Sequence, residues 1–270
     1  MNFREKLSGI VRENNSLLCV GLDIDKEKMP KFLFKTSKDQ FLNFNKSIID
    51  STKDLVCAYK INMAFYEALG KEGFDLLEKT VNYIPKEIVV ILDGKRNDIG
   101  NTARKYAQSI FETFGADATT VNPYLGKDGI TPFLEYKKKC SFILCRTSNT
   151  SAGDFQDLKV LKMQLYQIVA RKIKEWNDYN NCGAVIGATY PDELKKIRNI
   201  LGNEIPFLIP GIGKQGGDVE KTVKYGTNKK GEMAIINSSR GIIFAGDDEN
   251  FAGESRNNAF VLRTEINKYR

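Results

Sequence analysis

Short apolar runs bounded by turn residues recur along the whole chain. Such runs, without regular polar alternation, are typical of strands that are buried on both faces. We predict a β-strand at each of eight runs: 17–22, 55–61, 88–92, 117–121, 141–145, 182–188, 206–210 and 234–237.

Between several of these runs the apolar residues recur every three or four positions, as they do on one face of a helix. The face predicted in 161–176 consists of Leu161, Leu165, Ile168, Val169, Ile173 and Trp176. Alternation of strand and helix favours parallel strands with crossover helices. Eight such units in about 250 residues suit a (β/α)₈ barrel better than a doubly wound sheet. We therefore expect an α/β fold, a TIM barrel, with 1–270 as a single domain.

No linker or change of composition divides the chain. The segment 211–233 is the longest stretch that lacks apolar periodicity, and we predict that it is a mobile loop. Met1 leads almost directly into the first predicted strand, which favours a chain that stands alone.

Composition and charge indicate which binding partners and which cellular compartment to expect. The net charge is +7, but the basic residues are spread along the chain among 34 acidic ones, so we expect no nucleic-acid partner. No apolar run approaches the ~20 residues that span a bilayer, and the N-terminus lacks a signal peptide's apolar segment. We expect no membrane association and a cytoplasmic location. The five cysteines form no CxxC pair, and we interpret them as reduced core residues.

The chain has no histidine. This excludes the Ser-His-Asp and Cys-His arrangements and removes the commonest metal ligand. Chemistry must therefore depend on Lys, Asp, Glu, Arg and backbone groups.

Polar residues cluster where the predicted strands end, which is where barrel enzymes build their sites. They are Asp23, Lys60, Asp93, Lys95, Thr147, Ser148 and Arg240.

The stretch 91–102, ILDGKRNDIGNT, carries the densest charge. Asp93 and Lys95 share one side of a strand, Asp98 follows a turn later, and Lys60 ends the neighbouring strand. Alternating charges keep each member ionised against desolvation. The alternative is a set of ordinary rim salt bridges, but a separate anion site across the barrel makes that less favoured.

The chain resembles the orotidine 5′-monophosphate decarboxylase family, in its bacterial-type branch, over nearly its whole length. The matching pieces, in the family's order, are GLDID (21–25), YKINMAFYE (59–67), LDGKRNDIGNT (92–102), VNPYLGKDGITPF (121–133), RTSNTSAGDFQ (146–156), PGIGKQGGD (210–218) and NSSRGI (237–242). It departs from the commonest family pattern at Gly94, often a larger residue, and at Thr150, often a proline.

The resemblance implies decarboxylation of orotidine 5′-monophosphate to uridine 5′-monophosphate, the last step of pyrimidine synthesis, without metal or cofactor. By the family pattern the catalytic tetrad is Lys60, Asp93, Lys95 and Asp98. The resemblance also implies a homodimer, in which Asp98, Ile99 and Thr102 enter the partner's site.

Other residues match family positions that bind the substrate. Ser148 would hydrogen-bond the pyrimidine, Pro210 would lie beside it, and Asp23 would bind a ribose hydroxyl. Taken singly, each residue is more typical of a structural role: Ser148 of a turn or cap, Asp23 of a helix cap and Pro210 of a strand end. The glycine-rich segment 211–217, with Gln215, and Arg240 after the eighth strand could bind the phosphate.

Chemistry supports the role that the resemblance gives Lys95. Loss of CO₂ from C6 leaves a carbanion in the ring plane, which the ring π system cannot delocalise. The Lys95 ammonium would stabilise this charge and then protonate C6. Asp93 would disfavour the substrate carboxylate in the ground state, while Lys60 and Asp98 orient Lys95 and contact the ribose.

Four other functions remain open. A related sugar-phosphate decarboxylase or synthase would use magnesium and an enediolate, usually with a histidine. A Schiff-base aldolase would use Lys60 or Lys95, although flanking carboxylates would raise that lysine's pKa, against imine formation. A nucleotide sensor or a basic RNA-binding barrel would need no catalysis.

Overall fold

Eight parallel strands close into a barrel in the computed structural model, which describes residues 1–36, 39–212 and 217–270. The barrel strands are β1 (Leu18–Gly21), β2 (Ala58–Asn62), β3 (Val89–Arg96), β4 (Ala118–Val121), β5 (Cys140–Arg146), β8 (Cys182–Ile186), β9 (Phe207–Pro210) and β10 (Ala234–Ser238). A two-stranded antiparallel hairpin, β6 (Lys159–Val160) and β7 (Met163–Gln164), lies outside the barrel. Around the barrel the order is β1, β10, β9, β8, β5, β4, β3, β2.

All eight predicted strands are therefore confirmed, and the fold is the predicted (β/α)₈ barrel. The largest difference is at β3, which extends past the predicted end at 92 to Arg96. Asp93 and Lys95 therefore both lie within β3. The pairing of β3 with β4 shifts register between Leu92 and Arg96.

Helices cover the outside of the barrel and connect most of its strands. They are α1 (Phe3–Glu13), α2 (Leu33–Thr36), α3 (Gln40–Thr52), α4 (Met63–Glu67), α5 (Lys71–Tyr83), α6 (Gly100–Gln108), α7 (Lys127–Leu134), α8 (Gly153–Gln156), α9 (Leu165–Glu175), α10 (Pro191–Leu201), α11 (Val219–Gly226), α12 (Arg240–Ile243) and α13 (Phe251–Lys268), with a π-helical turn at Ser109–Thr113 and a 3₁₀ turn at Thr150–Ala152.

The first helix, α1, precedes β1, so the chain does not lead almost directly into its first strand as predicted. The Asn2 side chain accepts a hydrogen bond from the Glu5 amide at 3.0 Å, and the Glu5 carboxylate accepts one from the Asn2 amide at 2.8 Å. This capping box begins the helix. Phe3, its first residue, packs edge-on against Phe142 of β5, with 5.8 Å between ring centroids.

The face predicted for 161–176 is partly wrong. Helix α9 begins only at Leu165, and its buried residues are Tyr166, Ala170 and Ile173. Leu161 instead lies in the turn of the β6–β7 hairpin, 97% exposed and with a φ of 57°. The apolar spacing continued by chance across the end of the hairpin.

The long loop predicted for 211–233 is also wrong over 219–226. These residues form α11, whose N-cap is Asp218: its side chain accepts a hydrogen bond from the Lys221 amide at 2.9 Å. Only Thr222, Val223 and Gly226 are buried in α11. The helix has only 8 residues, fewer than the window of about 11–18 residues over which an apolar period is read, which explains why it was missed.

The five cysteines are unpaired and buried, as predicted. Across the described parts of the chain, the helices are too short or too polar to span a bilayer.

Candidate active site

A cavity of about 400 Å³ opens at the carboxyl ends of the barrel strands. Its walls include side chains from the ends of β2, β3 and β4 and from the segments that follow β1, β5, β9 and β10. Parallel strands bring their carboxyl ends to one rim, so residues far apart in sequence meet there. This rim holds most of the residues that the sequence predicted for the site.

A charged network forms one wall of the cavity. The Lys60 ammonium lies 3.2 Å from an Asp93 carboxylate oxygen and 3.5 Å from one of Asp23. The Lys95 ammonium donates to the other Asp93 oxygen at 2.8 Å. Lys60 and Asp93 are buried, whereas the Lys95 side chain is 47% exposed. Asp93 thus links a buried lysine to one that faces the cavity.

The two buried members of this network, Lys60 and Asp93, have pKa values shifted in the directions that keep them charged. Burial acts to raise the pKa of Asp93, but Lys60 and Lys95 hold it well below its ordinary value. Burial acts to lower the pKa of Lys60, but Asp23 and Asp93 raise it above its ordinary value. Lys60 and Asp93 therefore both stay charged across the physiological pH range.

Thr120 of β4 completes the network, and we did not predict it from the sequence. Its hydroxyl donates to Asp93 at 2.7 Å and accepts a hydrogen bond from the Lys95 amide at 2.9 Å. Lys95 has a φ of 46°, a left-handed conformation that is unfavourable for residues other than glycine. Such strain costs about 1–3 kcal/mol and clusters at functional sites. The hydroxyl of Thr120 thus fixes both the strained backbone and the carboxylate.

The opposite part of the cavity contains the residues expected to contact the base and the phosphate. Ser148, Pro210 and Arg240 line it, together with Gly211 and Ser239. Gln215, the other predicted phosphate ligand, lies outside the described residues. Asp23 is not a helix cap here: its carboxylate accepts a hydrogen bond from the Asn62 amide at 3.3 Å.

Asn62 and Asn237 also line the cavity and were missed from the sequence. Asn237 is buried, and its side-chain oxygen has no hydrogen-bond partner among the described residues. Asn62 is the last residue of β2, and Thr120 and Asn237 are next to last in β4 and β10; a polar residue at the end of a strand was the signal that the sequence offered.

Three predicted residues lie away from this cavity within the described chain. Asp98 accepts a hydrogen bond from the Ile99 amide at 2.8 Å, next to the start of α6. Ile99 is 60% exposed, and Thr102 is exposed on α6. One chain therefore brings Lys60, Asp93 and Lys95 together without Asp98.

The closed parallel barrel, with a charged cluster at the carboxyl ends of its strands, defines the class: a TIM-barrel enzyme. Residues 16–254 match the model of the family described as "Orotidine 5'-phosphate decarboxylase / HUMPS family". The chain belongs to this family.

Two curated relatives match the chain almost end to end. The orotidine 5′-phosphate decarboxylase of Cellvibrio japonicus is 50% identical over 99% of this chain and 98% of its own length. That of Dehalococcoides mccartyi strain BAV1 is 49% identical over 100% of this chain and 99% of its own.

A solved structure also matches. The UMP synthase of Leishmania donovani is 38% identical, with a TM-score of 0.89 over 100% of this chain. This chain spans 56% of that longer one.

Proposed function

We infer that this protein decarboxylates orotidine 5′-monophosphate to uridine 5′-monophosphate and CO₂, the last step of de novo pyrimidine biosynthesis. The observation that carries the inference is the network of Lys60, Asp93 and Lys95 at the strand ends, found in a chain that is about half identical to named decarboxylases over its full length. The whole chain, 1–270, acts as one domain.

Lys95 performs the proton chemistry. The bond from C6 to the carboxylate breaks, and its electron pair stays on C6 in the ring plane. The Lys95 ammonium stabilises this pair and then transfers a proton to C6, which leaves a neutral amine that regains a proton from solvent. The 2.8 Å contact with Asp93 supports this role, because it holds the ammonium over the cavity.

Asp93 acts on the substrate's carboxylate. It remains ionised because of its two lysine neighbours, so it repels a carboxylate placed beside it. The repulsion disappears as CO₂ leaves, which favours the transition state over the ground state. Lys60 is buried between Asp23 and Asp93 and orients the network while it contacts the ribose.

The pyrimidine, the ribose and the phosphate of the substrate bind to other residues that line the cavity. Ser148 hydrogen-bonds the pyrimidine, Pro210 packs beside it, and Asp23 binds a ribose hydroxyl. Arg240 binds the phosphate together with Gln215. The support is that Ser148, Pro210, Asp23 and Arg240 line one cavity with the lysines.

The active form is a homodimer in which Asp98, Ile99 and Thr102 complete the partner's site. The exposed isoleucine and the position of Asp98 outside its own cavity support this arrangement. The protein acts in the cytoplasm, for which the five unpaired cysteines are the support.

The rival functions predict different substrates. A magnesium-dependent decarboxylase or synthase would act on a sugar phosphate, and the family description covers more than one activity. A Schiff-base enzyme needs a neutral lysine, but the pKa of Lys60 is raised by Asp23 and Asp93 against the effect of burial.

The test offers each substrate separately, with EDTA and with added magnesium. We expect the absorbance of orotidine 5′-monophosphate to change under both conditions, and no CO₂ from the sugar phosphate. Release of CO₂ from the sugar phosphate only with magnesium would contradict the proposal. Binding of uridine 5′-monophosphate without turnover would indicate a nucleotide sensor, and salt-sensitive binding of RNA alone would indicate an RNA-binding protein.

A further inference from the structure

A buried guanidinium lies at the end of β5, directly before the segment that carries Ser148. The side chain of Arg146 is only 3% exposed. Its two terminal nitrogens donate to Gln156 at 3.1 Å and to Asp157 at 3.0 Å. The guanidinium carbon lies 3.9 Å from the ring centroid of Tyr190, which is a cation–π contact.

Gln156 connects Arg146 to Thr147, the residue before Ser148. Its side-chain oxygen accepts hydrogen bonds from Arg146 and also from the Thr147 amide, the latter at 2.9 Å. Its side-chain nitrogen donates to the Thr147 hydroxyl at 2.8 Å. Thr147 is thus held at both its backbone and its side chain by one glutamine.

Gly187, which follows β8, packs against Ser148 from the other side. Its amide donates to the Arg146 carbonyl at 2.8 Å. A Cβ on Gly187 would lie 2.8 Å from the Ser148 Cβ and 2.9 Å from its Cα. Ser148 is therefore packed directly against the Gly187 backbone, with little room to move toward it.

Even a paired buried charge carries a desolvation penalty, so an apolar residue would fill this space at a lower cost in free energy. The geometry of Arg146 suits a different task, since its planar fork connects Gln156 and Asp157 and fixes their separation. Both partners lie at the far end of the segment 147–157, and Ser148 lies at its near end. The guanidinium joins the two ends.

We propose that Arg146 is a positioning residue that acts through Gln156 and Thr147 to hold Ser148 against the pyrimidine, and so strengthens the enzyme's affinity for that base. The inference rests on the proposed contact between Ser148 and the pyrimidine. It concerns affinity for the base, because none of these groups belongs to the network of Lys60, Asp93 and Lys95.

A double-mutant cycle tests the proposal, with Ser148→Ala, Gln156→Met and their combination. Ser148→Ala should raise the KM for orotidine 5′-monophosphate about tenfold, the value of one good hydrogen bond, with a smaller change in kcat. Gln156→Met should raise KM by a similar factor. If Gln156 acts through Ser148, the double variant should be no more than about twofold worse than Ser148→Ala alone.

Conservative and matched variants separate positioning from folding. Gln156→Glu keeps an acceptor for Arg146 and for the Thr147 amide, so it should restore most of the KM. Gln167→Met removes a comparable contact, with the Gln164 amide at 3.0 Å, outside the segment 147–157. It should leave KM unchanged.

Arg146→Lys keeps the charge but loses the two terminal nitrogens that donate to Gln156 and Asp157. It should raise KM several-fold, and combining it with Ser148→Ala should raise KM little beyond the effect of Ser148→Ala alone. Arg198→Lys is its control, because Arg198 is another buried arginine, stacked over Phe207 at 3.4 Å at the other end of the barrel. It should lower the melting temperature and leave KM unchanged.

Two results would overturn the proposal. If the KM effects of Gln156→Met and Ser148→Ala multiply, the two residues act independently. If Ser148→Ala alone leaves KM unchanged, the pyrimidine contact itself is wrong, while retained turnover would leave the decarboxylase function standing.

Discussion

At the scale of single residues, the site depends on one carboxylate that is shared by two lysines. Asp93 accepts from Lys95 at 2.8 Å and lies 3.2 Å from Lys60. Without these neighbours a buried carboxylate would take up a proton, and without Asp93 the buried Lys60 would tend to lose one. Asp93 and Lys60 therefore keep each other ionised.

Thr120→Val tests the hydroxyl that joins Asp93 to the Lys95 backbone. Removing it leaves the Lys95 amide and one Asp93 oxygen without this partner, which should cost about 1–3 kcal/mol of unfolding free energy and lower kcat. Thr119→Val is the matched control, because the neighbouring Thr119 is equally buried and donates to the Leu92 carbonyl at 2.8 Å. It should cost similar stability at unchanged kcat. Equal kcat losses in both variants would contradict a specific role for Thr120.

Asp93→Asn tests the charge state of the network through pH. The pKa of Asp93 is lowered in the fold, so its stabilising contribution is present above the ordinary carboxyl pKa of about 4 and is lost as the pH falls below it. The pKa of Lys60 is raised, so its contribution is present below about 10.4 and is lost at higher pH. Urea unfolding at pH 7, 5, 4 and 3 should show the native protein losing more stability below pH 4 than the variant. If the two proteins lost the same amount of stability between pH 7 and pH 3, the pKa of Asp93 would not be lowered in the fold.

At the scale of elements, strands were easier to predict than their ends or the surface helices. Burial on both faces makes a barrel strand a continuous apolar run, so all eight appeared in the sequence. The extension of β3 to Arg96 could not be predicted from the apolar pattern. Lys95 and Arg96 are polar, and contacts with β4 keep them in the strand. Helix α11 has only 8 residues, too few to fill the window of about 11–18 residues over which an apolar period is read.

Gly183→Ala tests how tightly the barrel interior is packed. Gly183 of β8 is the register partner of Phe142 on β5, and a Cβ there would lie 2.4 Å from the phenyl ring. Overpacking of this kind should cost about 1–3 kcal/mol, measured by thermal or urea unfolding, with kcat of the folded enzyme little changed. A variant as stable as the native protein would mean that Phe142 moves aside freely.

At the scale of the whole molecule, the barrel explains why so much of the site could be predicted. Its rim brings the carboxyl ends of the strands together, so the sequence was enough to predict that Lys60, Asp93 and Lys95 share one site. Thr120 and Asn62 were missed because each is an ordinary strand residue whose role depends on which neighbour it faces. Asp98 shows the remaining gap, since a single chain does not bring it into its own cavity.

Mixing two inactive variants tests the proposed dimer. Lys95→Ala and Asp98→Ala should each be nearly inactive alone. Co-expressed with different tags, they should form mixed dimers in which one site has both Lys95 and the partner's Asp98, and random pairing restores up to about one quarter of native activity. No recovery in purified mixed dimers would place Asp98 in the site of its own subunit.

The most direct test of the account is the ultraviolet absorbance of orotidine 5′-monophosphate, followed in EDTA with the native protein and with Lys95→Ala. We expect rapid loss of the orotate spectrum with the native protein. The variant should be slower by at least about 10⁴-fold, because it lacks both the charge that stabilises the carbanion and the proton donor, and it should still bind uridine 5′-monophosphate. Turnover by Lys95→Ala within about tenfold of the native rate would contradict the central role of Lys95. Failure of the native protein to turn over without a divalent metal would contradict metal-free decarboxylation itself.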